Sequence, residues 1–232
     1  MANRFYCPLL SEAGSVILDD SEAHHLIHVL RGKVGEVVEL FNGTGLVATC
    51  RIESIRKRDV LLEATSVWLD PVPTRSLTLA TAVPKGDRFD WLIEKATELG
   101  VSRYVPIITE RSIVEPRAGK LDKLRSVVVA ACKQSKRNYI MEITPLTRWS
   151  DAMQLGVTDP RRLIAHPQGK ASSVFGTTDD KLPTIAFVGP EGGFSEIEMK
   201  TAIDSGIEPI QLGHQILRIE TAAIAIASKL LF

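Results

Sequence analysis

Two patterns of apolar spacing divide the chain. Up to about Leu69, apolar residues recur at every second position in short runs, the period of half-buried strands. The stretch "GEVVELFNGTGLVATCRIESI" alternates in this way and carries Asn42-Gly43, a pair that tolerates the left-handed backbone of a hairpin turn. "DVLLEATSVWL" is a further strand candidate. "SEAHHLIHVLRG" switches to helical spacing and predicts a short helix capped by Ser21 and ending toward Gly32. Several short strands of this kind predict a small barrel. The two prolines of "DPVPT" mark a linker, so residues 1–72 are expected to form one domain and 73–232 a second.

Beyond the linker the period changes. "SLTLATAV", "YVPIIT", "RRLIAHP", "TIAFVGP" and "EPIQLG" read as buried strands. Helical segments intervene. "DRFDWLIEKATELG" places Phe89, Leu92, Ile93, Ala96 and Leu99 on one face and stops at Gly100. Further helices are expected over 120–136, 195–205 and 219–232. Strands alternating with helices predict an α/β domain with a mainly parallel sheet.

Two loops stand out within that domain. In "VGPEGGFSEIE", Ser195 and Glu198 form a capping box, so a helix begins there. Residues 189–193 then join the carboxyl end of a strand to a helix, the edge at which open α/β sheets bind ligands. Glycines at that edge admit a ligand close to the backbone. Neither the Walker phosphate loop nor the dinucleotide glycine spacing is present, which disfavours nucleoside triphosphates and NAD. In "LGHQILRIETAAIAIASKLLF", Arg218, Glu220 and Thr221 stand at the mouth of a helix that is apolar around much of its circumference. Such a helix is expected to be buried, in part between subunits. Charges there are costly unless paired, so Arg218 and Glu220 are either site residues or a structural ion pair.

Charge refines this picture. The chain is neutral overall, yet residues 1–72 hold seven basic and ten acidic side chains, leaving the remainder at plus three. "KLDKLRSVVVAACKQSKRNY" is the most basic stretch, either a solvated helix face or, through Lys133 and Arg137, a contact for RNA phosphates. Three cysteines without metal-type spacing read as reduced thiols of a cytoplasmic protein. No apolar run is long enough to cross a bilayer.

These motifs carry a resemblance. "GPEGGFSEIE" and "LGHQILRIETAA", preceded in order by "HHLIHVLRGKVGEVVELFNGTG", "PKGDRFDWLIEKATELGV", "TERSIV" and "AACKQSKRN", resemble the RsmE family, the 16S rRNA (uracil-1498-N3)-methyltransferases of the SPOUT superfamily. The resemblance spans the whole chain. It implies a PUA-like, RNA-binding β-barrel followed by a SPOUT-type trefoil-knotted domain. It also implies S-adenosylmethionine as cofactor, the small ribosomal subunit as substrate and a homodimer formed through the C-terminal knot region. By resemblance, the cofactor pocket takes in His166 and Pro167; Gly189, Pro190 and Gly192; and Leu212, Gly213, Ile216, Leu217, Thr221 and Ala222. Arg218 is the cation that would stabilise a developing uracil anion, with Glu191, Glu220 or water as candidate proton acceptor. RNA contacts are expected from Arg31, Lys85, Arg88, Arg111, Gln134, Ser135 and Arg137, and Glu94, Lys95 and Glu98 match a motif on the substrate side. The sulfonium already activates the methyl group, so no metal is expected, and His24, His25 and His28 match a folding motif.

Two positions depart from the family. His214-Gln215 stands where proline and arginine are usual, and Lys136 where glycine is usual. Two other functions compete: a related methyltransferase for another RNA such as tRNA, and a non-enzymatic RNA-binding assembly factor. The intact "GPEGG" and "ILRIETA" loops argue against the latter.

Overall fold

The computed structural model describes residues 3–12, 14–116, 119–156, 161–171 and 182–232. The chain divides into two units. One runs to Val72 and includes Cys132–Ile140; the other comprises Pro73–Ala131 and Met141–Phe232.

The first unit contains strands β1 (Asn3–Tyr6), β2 (Ser15–Leu18), β3 (Val37–Phe41), β4 (Leu46–Ile55) and β5 (Val60–Leu69). Their order is β1-β3-β4-β5-β2, with β1 and β3 parallel and the other pairs antiparallel. The sheet curls around one core that includes Phe5, Leu40, Ile52 and Leu62, all fully buried. The hairpin expected at Asn42-Gly43 joins β3 to β4. The Asn42 side chain accepts from the amides of Thr44 (2.8 Å) and Leu46 (3.1 Å), which fixes the turn.

The helix of this unit differs from its sequence reading. Helix α1 (Asp20–His24) continues as a π-helical turn (His25–Val29), and its N-cap is Asp19 rather than Ser21, with no side-chain cap bond. The left-handed residue that ends it is Arg31 (φ 54°), not Gly32. Gly32 serves packing instead, since a Cβ there would meet Leu26 Cδ1 at 3.0 Å.

The returning segment completes the unit. Arg4 donates to Cys132 O (2.9 Å) and also bonds Asn138, while Tyr139 donates to Asp70 O (2.7 Å). Lys133 Nζ is held by both carboxylate oxygens of Glu22, at 3.0 and 2.8 Å.

The second unit is built on β6 (Leu77–Ala82), α2 (Arg88–Glu98), β7 (Arg103–Ile108), α3 (Lys120–Ser135, ending in the first unit), β8 (Glu142–Ile143), β9 (Thr147–Arg148), α4 (Trp149–Ala152), β10 (Arg161–Ala171), β11 (Thr184–Val188), α5 (Glu196–Asp204), β12 (Glu208–Gln211) and α6 (Ile219–Leu231). The sheet order is β12-β10-β11-β6-β7-β8, with β9 beside β7, and the strands pair in parallel. All five residues of β11 are buried, which explains its unbroken apolar run. Phe187, Trp149, Phe194, Ile164 and Val105 share a core cluster. Strands β8 and β9 and helix α4 were not foreseen, being too short to show a period. Strand β10 continues past Pro167 with a register shift against β12, where Gly169 is obligatory: a Cβ would lie 2.5 Å from the Ile210 carbonyl carbon. Parallel pairing sets the carboxyl ends of β7, β11, β10 and β12 along one edge.

Candidate functional site

A cavity of about 330 Å³ opens at that edge. Its walls come from Ala165, His166 and Pro167 of β10, from residues 188–194 after β11, and from the segment after β12 including Leu212, Gly213, Gln215, Ile216 and Leu217. Ile219 and Ala222 of α6 and Arg111 from the turn after β7 complete it.

The three glycines of "GPEGGF" are there for different reasons. At Gly189 a Cβ would approach two ring carbons of Phe194 to 2.9 Å. Phe194 cannot yield freely, because it is buried against Trp149 with ring centroids 4.7 Å apart. Gly193 has φ 68° and donates to Pro190 O at 2.8 Å, closing a tight turn. Gly192 needs neither: its Cβ would meet Arg111 at 3.4 Å. The expected capping box follows. Ser195 Oγ accepts from Glu198 N (3.3 Å), and Glu198 Oε2 accepts from Ser195 N (2.9 Å). The other oxygen of Glu198 accepts from Glu110 N at 2.8 Å, so the same carboxylate pins the turn that bears Arg111. Arg111 in turn donates from Nη1 to Gly192 O at 2.9 Å.

Ten of the residues expected around a cofactor line this cavity: His166, Pro167, Gly189, Pro190, Gly192, Leu212, Gly213, Ile216, Leu217 and Ala222. Thr221 does not; it is exposed and outside the lining. Among the expected catalytic residues Glu191 lines the cavity, while Arg218 and Glu220 lie outside it. Arg218 is the exposed N-cap residue of α6. Glu220 is buried and pairs with Arg88 at 3.6 Å, so the ion pair at the mouth of α6 is Arg88–Glu220 and not Arg218–Glu220. Arg111, expected on the RNA side, is part of the cavity wall. The motifs gave no sign of Phe194 or Gln215 as wall residues, although both lie inside the quoted loops.

The remaining RNA-side candidates are dispersed. Lys85 is exposed in the loop before α2. Arg31 and Gln134 are exposed in the first unit, where Ser135 and Arg137 are half-buried and burial pushes the Arg137 guanidinium below its usual range. Lys133 is committed to Glu22, which removes it from the expected phosphate contacts. Lys95 bridges Glu94 (2.7 Å) and Glu98 (2.8 Å). The His24 and His28 rings lie 4.6 Å apart, tilted by 48°, while His25 meets Phe5 edge-on, and no cluster of metal-binding side chains occurs among the described residues. None of their helices is long and apolar enough to cross a membrane.

The cavity is of a size to take a small molecule. Its volume falls in the small-molecule range of about 300–1,000 Å³. Its walls bring together glycines, prolines and apolar side chains from three strand-end loops. Residues 71–231 match the family model of an RNA methyltransferase domain, and residues 18–65 that of an RNA methyltransferase PUA domain. Fold and cavity thus define an RNA methyltransferase with an appended PUA domain. The ribosomal RNA small subunit methyltransferase E of Synechocystis is 31% identical over 215 residues, spanning 90% of this chain and 70% of that protein. The same enzyme from Neisseria gonorrhoeae, bound to S-adenosyl methionine, matches with a TM-score of 0.88 at 31% identity over 98% of this chain and 96% of that one. A Legionella pneumophila methyltransferase in complex with the same cofactor matches with a TM-score of 0.88 at 32% identity, covering 99% and 97%. The chain belongs to the ribosomal RNA small subunit methyltransferase E family.

Proposed function

We propose that this protein transfers the methyl group of S-adenosylmethionine to N3 of a uridine in 16S ribosomal RNA, position 1498 by family membership, acting on the assembled small subunit. The observation that carries the reading is the cavity formed by three loops at one sheet edge, with glycine-bearing walls in the motif shared with the family. When bound, S-adenosylmethionine supplies a methyl group activated by its sulfonium.

The residues divide the remaining work. Residues of the three wall loops, among them Gly189, Pro190, Leu212, Ile216 and Leu217, would hold the adenosine. N3 of uracil is a weak nucleophile until its proton leaves, and a fixed cation lowers the cost of that ionisation. Arg218 adjoins the wall residue Leu217 and is exposed, so it takes this role toward the RNA base. Glu191 takes the role of proton acceptor for N3, a reading supported by its exposed position on the cavity wall. Glu220 is assigned to the ion pair with Arg88 rather than to proton transfer.

The first unit serves RNA docking, with Arg31 from its 1–72 part and Gln134, Ser135 and Arg137 from its returning segment as contacts, and Lys85 as a contact on the methyltransferase domain. A homodimer through the C-terminal region accords with the exposed apolar side chains of Trp91, Ile216 and Phe232. The protein works in the cytoplasm, where its substrate is assembled.

The test is transfer of labelled methyl from S-adenosylmethionine into small subunits taken from cells lacking the modification, with tRNA in parallel. Label confined to small-subunit RNA is expected. Label confined to tRNA would redirect the substrate, and no transfer to either would refute the reading.

A further inference from the structure

We propose that Arg111 reads the methionyl carboxylate of the cofactor and thereby sets the orientation of its amino-acid tail, an inference that rests on the function proposed above. S-adenosylmethionine carries a single carboxylate. Among the described wall residues, Arg111 is the one lysine or arginine. A carboxylate brought into a partly desolvated cavity demands charge-assisted donors, and a guanidinium offers them as a planar fork.

The local structure holds that fork ready. Arg111 sits in a turn closed by Ser112 N donating to Thr109 O (3.1 Å) and Thr109 N donating to Ser112 Oγ (2.9 Å). Glu198 anchors the neighbouring Glu110 amide from the start of α5. Nη1 is engaged by the Gly192 carbonyl, and no carboxylate pairs with Arg111 among the described residues. The guanidinium therefore keeps further N–H donors for a ligand. A cation fixed in this way loses little side-chain freedom on binding. The arrangement also ties the cofactor tail to the "GPEGG" loop, because one side chain touches both. Arg111 borders a second cavity of about 620 Å³ along α5 as well, where contact with RNA phosphate is the rival assignment.

The experiment compares two ligands by calorimetry on the full chain: S-adenosylhomocysteine, which has the amino-acid tail, and 5′-methylthioadenosine, which lacks it. Arg111→Gln keeps a donor for Gly192 and removes the charge. It is expected to weaken S-adenosylhomocysteine by about tenfold or more, the scale of a charge-assisted hydrogen bond, and to leave 5′-methylthioadenosine within about twofold. Arg111→Lys, with the charge restored, should recover part of the preference for the tailed ligand. Equal weakening of both ligands by Arg111→Gln would reduce Arg111 to a loop clamp and overturn the proposal. Unchanged binding of both, with weakened RNA binding, would assign Arg111 to RNA and overturn it too. If the unaltered protein binds neither ligand, the function proposed above falls first and this inference with it.

Discussion

Replacing Gly189 by alanine tests whether the cavity wall is as tightly determined as its geometry implies. The backbone at Gly189 is not left-handed, so the substitution adds no conformational strain. Its effect is steric. The new methyl would stand 2.9 Å from Cδ2 and Cε2 of Phe194, where ordinary contact begins at 3.4 Å. The ring must therefore retreat by about 0.5 Å, and behind it stands Trp149, itself packed edge-on against Phe187 at 5.4 Å. Overpacking of this kind costs about 1–3 kcal/mol, and the reduced entropy of the unfolded chain returns about 0.4–1 kcal/mol. The expected net loss is about 1–2 kcal/mol. Because Phe194 lines the cavity, S-adenosylhomocysteine affinity should fall with stability. Two neighbours calibrate the result. Gly192→Ala meets Arg111 at 3.4 Å, an ordinary contact, and should gain about 0.4–1 kcal/mol through the unfolded chain. Gly193→Ala has room for a methyl but φ 68°, and should lose about 1 kcal/mol through the backbone alone. Urea unfolding and calorimetric titration of the three variants read these outcomes. If Gly189→Ala proves as stable as Gly192→Ala and binds as tightly, the steric reasoning is wrong.

Lys136 holds φ 61° just beyond α3, a conformation glycine adopts freely; Lys136→Gly should raise stability by about 0.5–1 kcal/mol in the same unfolding assay. Burial pushes the Cys50 thiol up to about 11 from its ordinary 9.0. The unfolded chain thus ionises first as pH rises, and stability that is complete below pH 9 should decline toward pH 11, by about 1–3 kcal/mol, in denaturant titrations across that range. A Cys50→Ala variant should lose that part of the pH dependence. Arg218→Ala should lower methyl transfer by about tenfold or more while S-adenosylhomocysteine affinity stays within about twofold, since Arg218 lies outside the cavity wall; equal losses in both would move it into the cofactor site.

Local features of this structure were legible in the residues themselves. The Ser195–Glu198 capping box, the turn at Asn42-Gly43 and the buried face of α2 each follow from spacing within a few positions, and each is present. The loop at 189–193 was legible for the same reason, since it follows a strand that announces itself by composition, whereas the other two wall loops came from the resemblance to the family. What escaped depends on partners remote in sequence. Glu220 finds Arg88 across two packed helices, and Lys133 finds Glu22 although 111 positions separate them. No periodicity encodes those pairings. The linker at 70–74 suggested a single crossing between domains, yet Cys132–Ile140 returns to the first unit, held by Arg4 and Asp70. The glycines show a finer limit. Gly192 was expected as a cavity residue beside Gly189 and does line the wall, but the crowded position is Gly189, and only the placement of Phe194 reveals it. Lys136 runs the other way: by resemblance glycine is usual there, and the structure shows why, since the position holds left-handed backbone.

The most direct test of the central claim is the identity of the methylated nucleoside. Small subunits methylated by this protein should be digested to nucleosides and resolved by mass spectrometry against methylated uridine standards. The account predicts 3-methyluridine, formed about tenfold or more slowly by Arg218→Ala and absent when no cofactor is supplied. A methyl group on the ribose, on C5, or on a base other than uracil would contradict it.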